Sequence, residues 1–133
     1  MEIRAIVISE NKSTIELLKS YTDECNGFKF LAGVSDFNKA YSAIKEIDTM
    51  LVIVDISDYQ EPALNFVSKI TTDFHNCRVI TISDKPDINL VVRAMRVGAS
   101  NFISIPILKD EYKNVLAKIY GDMRSEERRV GKE

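Results

Sequence analysis

Five short apolar runs, each followed by a segment with helical spacing, constrain this chain more than any other feature. The clearest run is Met50-Leu51-Val52-Ile53-Val54, closed by Asp55. A continuous apolar stretch of that length suits a strand buried on both faces of a parallel sheet. In open α/β sheets, ligands and chemistry sit beyond the carboxyl ends of such strands. A carboxylate there is costly to hold unless it is solvated, paired or used. Asp55 is therefore the first candidate functional residue.

The other runs repeat the pattern. Ile3 to Ser9 reads as the first strand, and a helix follows from about Ser13, where Ser13 and Glu16 have capping-box spacing. Ile15, Leu18 and Tyr21 or Thr22 form its apolar stripe, and Gly27 suits a left-handed C-cap. Phe28 to Val34 is the second strand, and Asp36 or Ser35 caps the second helix. Helix three spans roughly Gln60 to Phe74, with Pro62 tolerated in its first turn. Arg78 to Ser83 is strand four. Asp84-Lys85-Pro86-Asp87 leads into helix four, which ends before Gly98, and Asn101 to Ser104 is strand five. The last helix runs from about Lys109 to Met123.

Strands alternating with helices imply parallel pairing and right-handed crossovers. The expected fold is α/β, a three-layer flavodoxin-like (βα)5 sandwich with strand order 2-1-3-4-5. Residues 1–123 form one domain. Residues 124–133 lose the apolar period and read as a charged tail, an interdomain linker or a cloning remnant.

Composition narrows the function classes. A net charge of −2 without a basic stripe argues against nucleic-acid binding by this domain. No apolar run has membrane-spanning length. Cys25 and Cys77 lack metal-site spacing and read as reduced thiols of a cytoplasmic protein. There is no Gly-rich phosphate loop and no nucleophile–base spacing, so an enzyme is not expected. His75, the one histidine, falls at the amino-terminal edge of the sheet, far from the chemistry. Tyr59, Tyr112 and Tyr120 read as helix-face packing residues.

Three predicted strand ends converge at the carboxyl edge: Ser9-Glu10, Asp55 and Ser83. Two carboxylates and a hydroxyl there could ligate a hard cation such as Mg²⁺. On pattern alone, Glu10 reads equally as a solvated loop residue and Ser83 as a cap.

The segment Val79-Ile80-Thr81-Ile82-Ser83, with Gly98-Ala99-Ser100, Phe102 and Pro106, resembles a bacterial response-regulator receiver domain of the CheY-like kind. The resemblance covers residues 2 to about 121. It implies a role in two-component or phosphorelay signal transduction. Asp55 falls on the phosphoacceptor position. Glu10 falls on the second residue of an acidic pair that ligates Mg²⁺, and Ser57 where a backbone carbonyl completes the metal shell. Ser83 falls on the hydroxyl residue that follows the phosphoryl group, and Phe102 on the aromatic switch.

The departures from the pattern are chemical. Ser9 stands where the first acidic residue belongs, and Ile105 stands at the position of a lysine that pairs with the phosphoryl oxygens. Phosphoryl transfer depends on positioning and charge stabilisation, and removing one well-placed donor costs roughly 3–4 kcal/mol. The expectation is a weakened Mg²⁺ site and slow, weak or absent phosphorylation of Asp55.

Helix four carries two apolar stripes. Ile88, Val91, Val92 and Met95 form the stripe expected to face the core. Leu90, Ala94 and Val97 form a second, read either as packing or as a dimer or partner-docking patch. The function expected is an atypical receiver that works through protein–protein contacts with a signalling or localisation partner, or as a homodimer. The alternative is a phosphorylation-independent localisation or dimerisation module of a pilus-assembly ATPase of the TadZ or CpaE type, which the Ala94-Met95-Arg96 to Pro106 segment resembles.

Overall fold

A computed structural model describes residues 2–49 and 51–131. The strands are β1 (Ile3–Ile8), β2 (Phe28–Val34), β3 (Leu51–Asp55), β4 (Arg78–Ser83) and β5 (Asn101–Ser104). The helices are α1 (Lys12–Asp23), α2 (Phe37–Ile47), α3 (Gln60–Asp73), α4 (Ile88–Arg96) and α5 (Lys109–Gly131). Every pairing is parallel and the sheet order is β2-β1-β3-β4-β5, as the sequence predicts. Met50, predicted to open the third strand, lies outside the described residues.

The apolar run of β3 is continuous because both of its faces are covered. Val52 and Val54 pack with Ile44, Val67 and Leu90 from the α2, α3 and α4 side. Leu51 and Ile53 point the other way, to Leu18, Tyr112 and Leu116 of α1 and α5. This period-two division of one strand between two core layers follows from the pleat. Each such side chain, fully buried, contributes about 1.5–3 kcal/mol. Across the second layer the buried Thr22 hydroxyl and Tyr112 phenol share a hydrogen bond of 2.7 Å, tying α1 to α5.

Caps set where the helices leave the sheet edge. Asp36 accepts from the Asn38 and Lys39 N–H groups at α2, and Asp87 accepts from the Leu90 N–H at α4. At α1 the cap is Asn11, not Ser13. Asn11 Oδ1 accepts from the Ser13 and Thr14 N–H groups, so Ser13 already lies within the first turn. The Ser9 hydroxyl holds the Asn11 N–H at 3.0 Å, which starts the helix earlier than the Ser13–Glu16 pattern suggests.

Two other boundaries differ from the sequence reading. Gly27 has φ +88° but belongs to the turn into β2, since α1 is capped at Glu24. The last helix does not end near Met123: it continues to Gly131. Glu and Arg in that stretch are good helix formers, and Glu126 pairs with Arg78 at the start of β4. Among the described residues, no helix is long and apolar enough to cross a membrane.

Candidate functional site

Register builds the site. Ile8 pairs with Val54 across β1 and β3, so the next residues along, Ser9 and Asp55, emerge side by side at the carboxyl edge. Asp55 in turn pairs with Ile82, which brings Ser83 to the same edge. This is the crevice between β1 and β3 at which the strand order reverses, the place where such sheets bind ligands.

Asp55 is half-buried and both of its carboxylate oxygens have donors. The Ser9 hydroxyl donates to Oδ2 at 2.7 Å, and the Ser57 N–H donates to Oδ1 at 3.0 Å. The Ser57 hydroxyl accepts from the Asp84 N–H at 3.1 Å, and the Ser83 hydroxyl accepts from the Lys85 N–H at 3.0 Å. Ser9, Ser57 and Ser83 are all buried. Their hydroxyls are therefore committed to the loops after β1, β3 and β4, where unpaired polar groups would be costly.

A small cleft of about 40 Å³ opens beside the carboxylate, lined by Ser9, Glu10, Ser35, Asp55, Asp58 and Tyr59 among others. That is room for a few water molecules. Glu10 is exposed on its rim. Lys85 stands near Asp58 and Asp84, at 4.0 and 3.9 Å, in an exposed cluster where such pairs contribute little.

The residues offer a divalent cation few side-chain ligands. Among the described residues, no group of three or more His, Cys, Asp or Glu side chains could hold a metal ion. The best-placed ligand, Asp55, already has a hydroxyl on one oxygen and an amide on the other. Glu10 shares the cleft with it and stands exposed at the rim.

The remaining sequence candidates fall as follows. Phe102 is half-buried on β5 and packs on the α4 side of the sheet, in register with Thr81. Ile105 packs against the opposite core layer, and the Ile105–Pro106 peptide is cis. An apolar side chain that contributes to the core has no ammonium to offer a phosphoryl group.

The α4 assignment is corrected. Leu90 and Ala94 are buried, at 3% and 0% exposure, and Val97 packs against the same core layer. The outward stripe is Ile88, Val92 and Met95, exposed at 78%, 38% and 42%. The two stripes have the same spacing, so periodicity cannot choose between them. Packing does: the small Ala94 and the neighbouring Ala99 let the helix lie close over the sheet. Leu108, just before α5, is also exposed, at 63%.

Sequence reasoning missed two contributors. Tyr59 is not a packing residue: it occupies the N-cap position of α3 without a capping hydrogen bond and stands 58% exposed at the rim of the cleft. Its place just before Gln60-Glu61-Pro62 was the available signal. Ser9, read only as a lost acid, is the hydrogen-bond partner of Asp55. No local pattern marks that contact, because it joins residues 46 apart.

No protein-family model matches the chain. It is 21% identical over 129 residues to the transcriptional regulatory protein MalR of Bacillus subtilis, covering 92% of this chain and 55% of MalR. The chain spans about half the length, or less, of the curated relatives it matches. Among solved structures, it is similar to the signal receiver domain of a LuxO repressor protein from Vibrio parahaemolyticus, with a TM-score of 0.84, 20% identity and 96% of each chain covered. It is also similar to a pilus assembly protein, CpaE, from Burkholderia thailandensis, with a TM-score of 0.80, 15% identity, and 90% of this chain and 98% of that one covered. Strand order, the carboxylate at the end of β3 and these likenesses agree: the chain has the receiver-domain fold of response regulators, a fold it shares with CpaE-type pilus proteins.

Proposed function

We propose that this domain is an atypical receiver that works as a protein-binding module, with Asp55 phosphorylated weakly or not at all. The observation that carries the reading is the state of the acceptor site. Asp55 is held by the Ser9 hydroxyl and the Ser57 amide, and Ile105 supplies no charge. Without a cation or an ammonium, charge developing on a transferring phosphoryl group goes unstabilised. Mg²⁺ binding at Glu10 and Asp55 is weak on the same reasoning.

The contact surface is the exposed stripe of Ile88, Val92 and Met95 on α4. A row of apolar side chains on one helix face favours contact with a partner protein. A second reading, a phosphorylation-independent localisation module, draws support from the likeness to CpaE, whose domain this chain covers almost entirely. Both readings use the fold as a binding surface.

Acetyl phosphate with Mg²⁺, followed by intact-mass measurement, tests the proposal. The expected spectrum shows unmodified protein. Stoichiometric phosphorylation that vanishes in Asp55→Asn overturns it.

A further inference from the structure

Ser9 does more at this edge than stand in for an acid. Its hydroxyl accepts the Asn11 N–H at 3.0 Å and donates its own proton to Asp55 Oδ2 at 2.7 Å. Asp55 Oδ1 then takes the Ser57 N–H, and the Ser57 hydroxyl takes the Asp84 N–H at 3.1 Å. These hydrogen bonds, joined through the Ser57 residue itself, connect the start of α1 through Asp55 to the loop before α4. A carboxylate tying such loops needs its charge answered, either by a cation or by well-aimed neutral donors. Here the neutral donors are present and paired.

We infer that Ser9 is a positioning residue that holds Asp55 in place of a divalent cation, making this edge a cation-independent latch between the loops that follow β1, β3 and β4. The latch ends at Asp84, four residues before Ile88 opens the exposed stripe of α4. It therefore ties down the loop that leads to the Asp87 cap, where α4 begins. This deepens the reading of the same site given above, and it separates from it experimentally because it concerns the cation rather than the phosphoryl group.

The geometry makes a directional claim about cation affinity. Ser9→Asp adds a further carboxylate to those of Asp55, Glu10 and Asp58 at the cleft and removes the hydroxyl that occupies Oδ2. Carboxylate count tunes the affinity of oxygen-ligand cation sites over decades. Ser9→Ala frees Oδ2 without adding a ligand and breaks the latch at its first link.

Amide NMR with Mn²⁺ as the probe, and Mg²⁺ as its diamagnetic competitor, tests the inference on the wild-type protein and both variants. Wild type is expected to show no saturable, Mg²⁺-reversible broadening at Asp55, Ser57 and Asp84. Ser9→Asp is expected to gain saturable, Mg²⁺-reversible broadening at these residues. In Ser9→Ala, amide exchange at Asn11, Ser57 and Asp84 is expected to quicken together, as linked members of one chain. Saturable cation binding by wild type overturns the inference, whether or not Ser9→Asp folds. Exchange in Ser9→Ala that changes at Asn11 alone overturns the latch. Neither result depends on whether acetyl phosphate modifies Asp55.

Discussion

Removing the Ser9 hydroxyl tests how strongly Asp55 depends on it. Ser9 is 4% exposed and its bond to the carboxylate is 2.7 Å long. A hydrogen bond to a charged group contributes about 1.5–3 kcal/mol. Part of that is recovered, because the adjoining cleft of about 40 Å³ admits water to Oδ2. The freed Asn11 N–H belongs to an exposed residue and also finds water. The expected cost of Ser9→Ala is therefore about 1–2 kcal/mol, or roughly 4–8 °C in Tm for a chain of this size. Urea denaturation of wild type, Ser9→Ala, Asp55→Ala and the double variant isolates the pair. The coupling energy should be about 1–2 kcal/mol, because once either partner is gone the other has less to lose. If the two single effects add to within about 0.5 kcal/mol, the bond does not hold Asp55 and the argument built on it fails.

The two faces of α4 make opposite predictions. Leu90→Asp, at a buried site, should cost at least about 3 kcal/mol, whereas Ile88→Asp should stay within about 0.5 kcal/mol in thermal denaturation. Gly98→Ala should lower stability by roughly 2–4 kcal/mol in urea melts. Gly98 has φ +117°, and a Cβ there would lie 2.6 Å from Thr71 Oγ1, which is held by the Val97 carbonyl. Alkali should destabilise the fold. Burial pushes the Cys77 thiol up to about 12 from 9.0, and burial also raises the Tyr112 phenol above its ordinary value. The unfolded chain gives up these protons first, so the stabilisation is complete below about pH 9 and is lost as pH rises beyond it, by about 1.4 kcal/mol per pH unit for each group titrating. Urea midpoints measured across that range should fall less steeply in Cys77→Ala, and an unchanged slope would refute the assignment.

Short-range signals in the chain were sufficient for the order of elements. Apolar runs of strand length, helical stripes between them, and the turn signals at Ser35-Asp36 and Asp84-Lys85-Pro86-Asp87 act over a few residues and need no tertiary partner. They place Asp55 at the end of a central strand, and with it the crevice where the sheet order reverses. What they cannot carry is any contact that depends on register or on which way a helix faces. Ile88, Val92 and Met95 repeat with the same spacing as Leu90, Ala94 and Val97, and only packing over β4 and β5 turns the second set inward. Ser13 has the spacing of a capping box, yet Asn11 caps α1, because Ser9 holds the chain two residues earlier. The role of Ser9 itself was invisible in one dimension. Two parallel strands must pair, with Ile8 opposite Val54, before its hydroxyl can meet the carboxylate of Asp55.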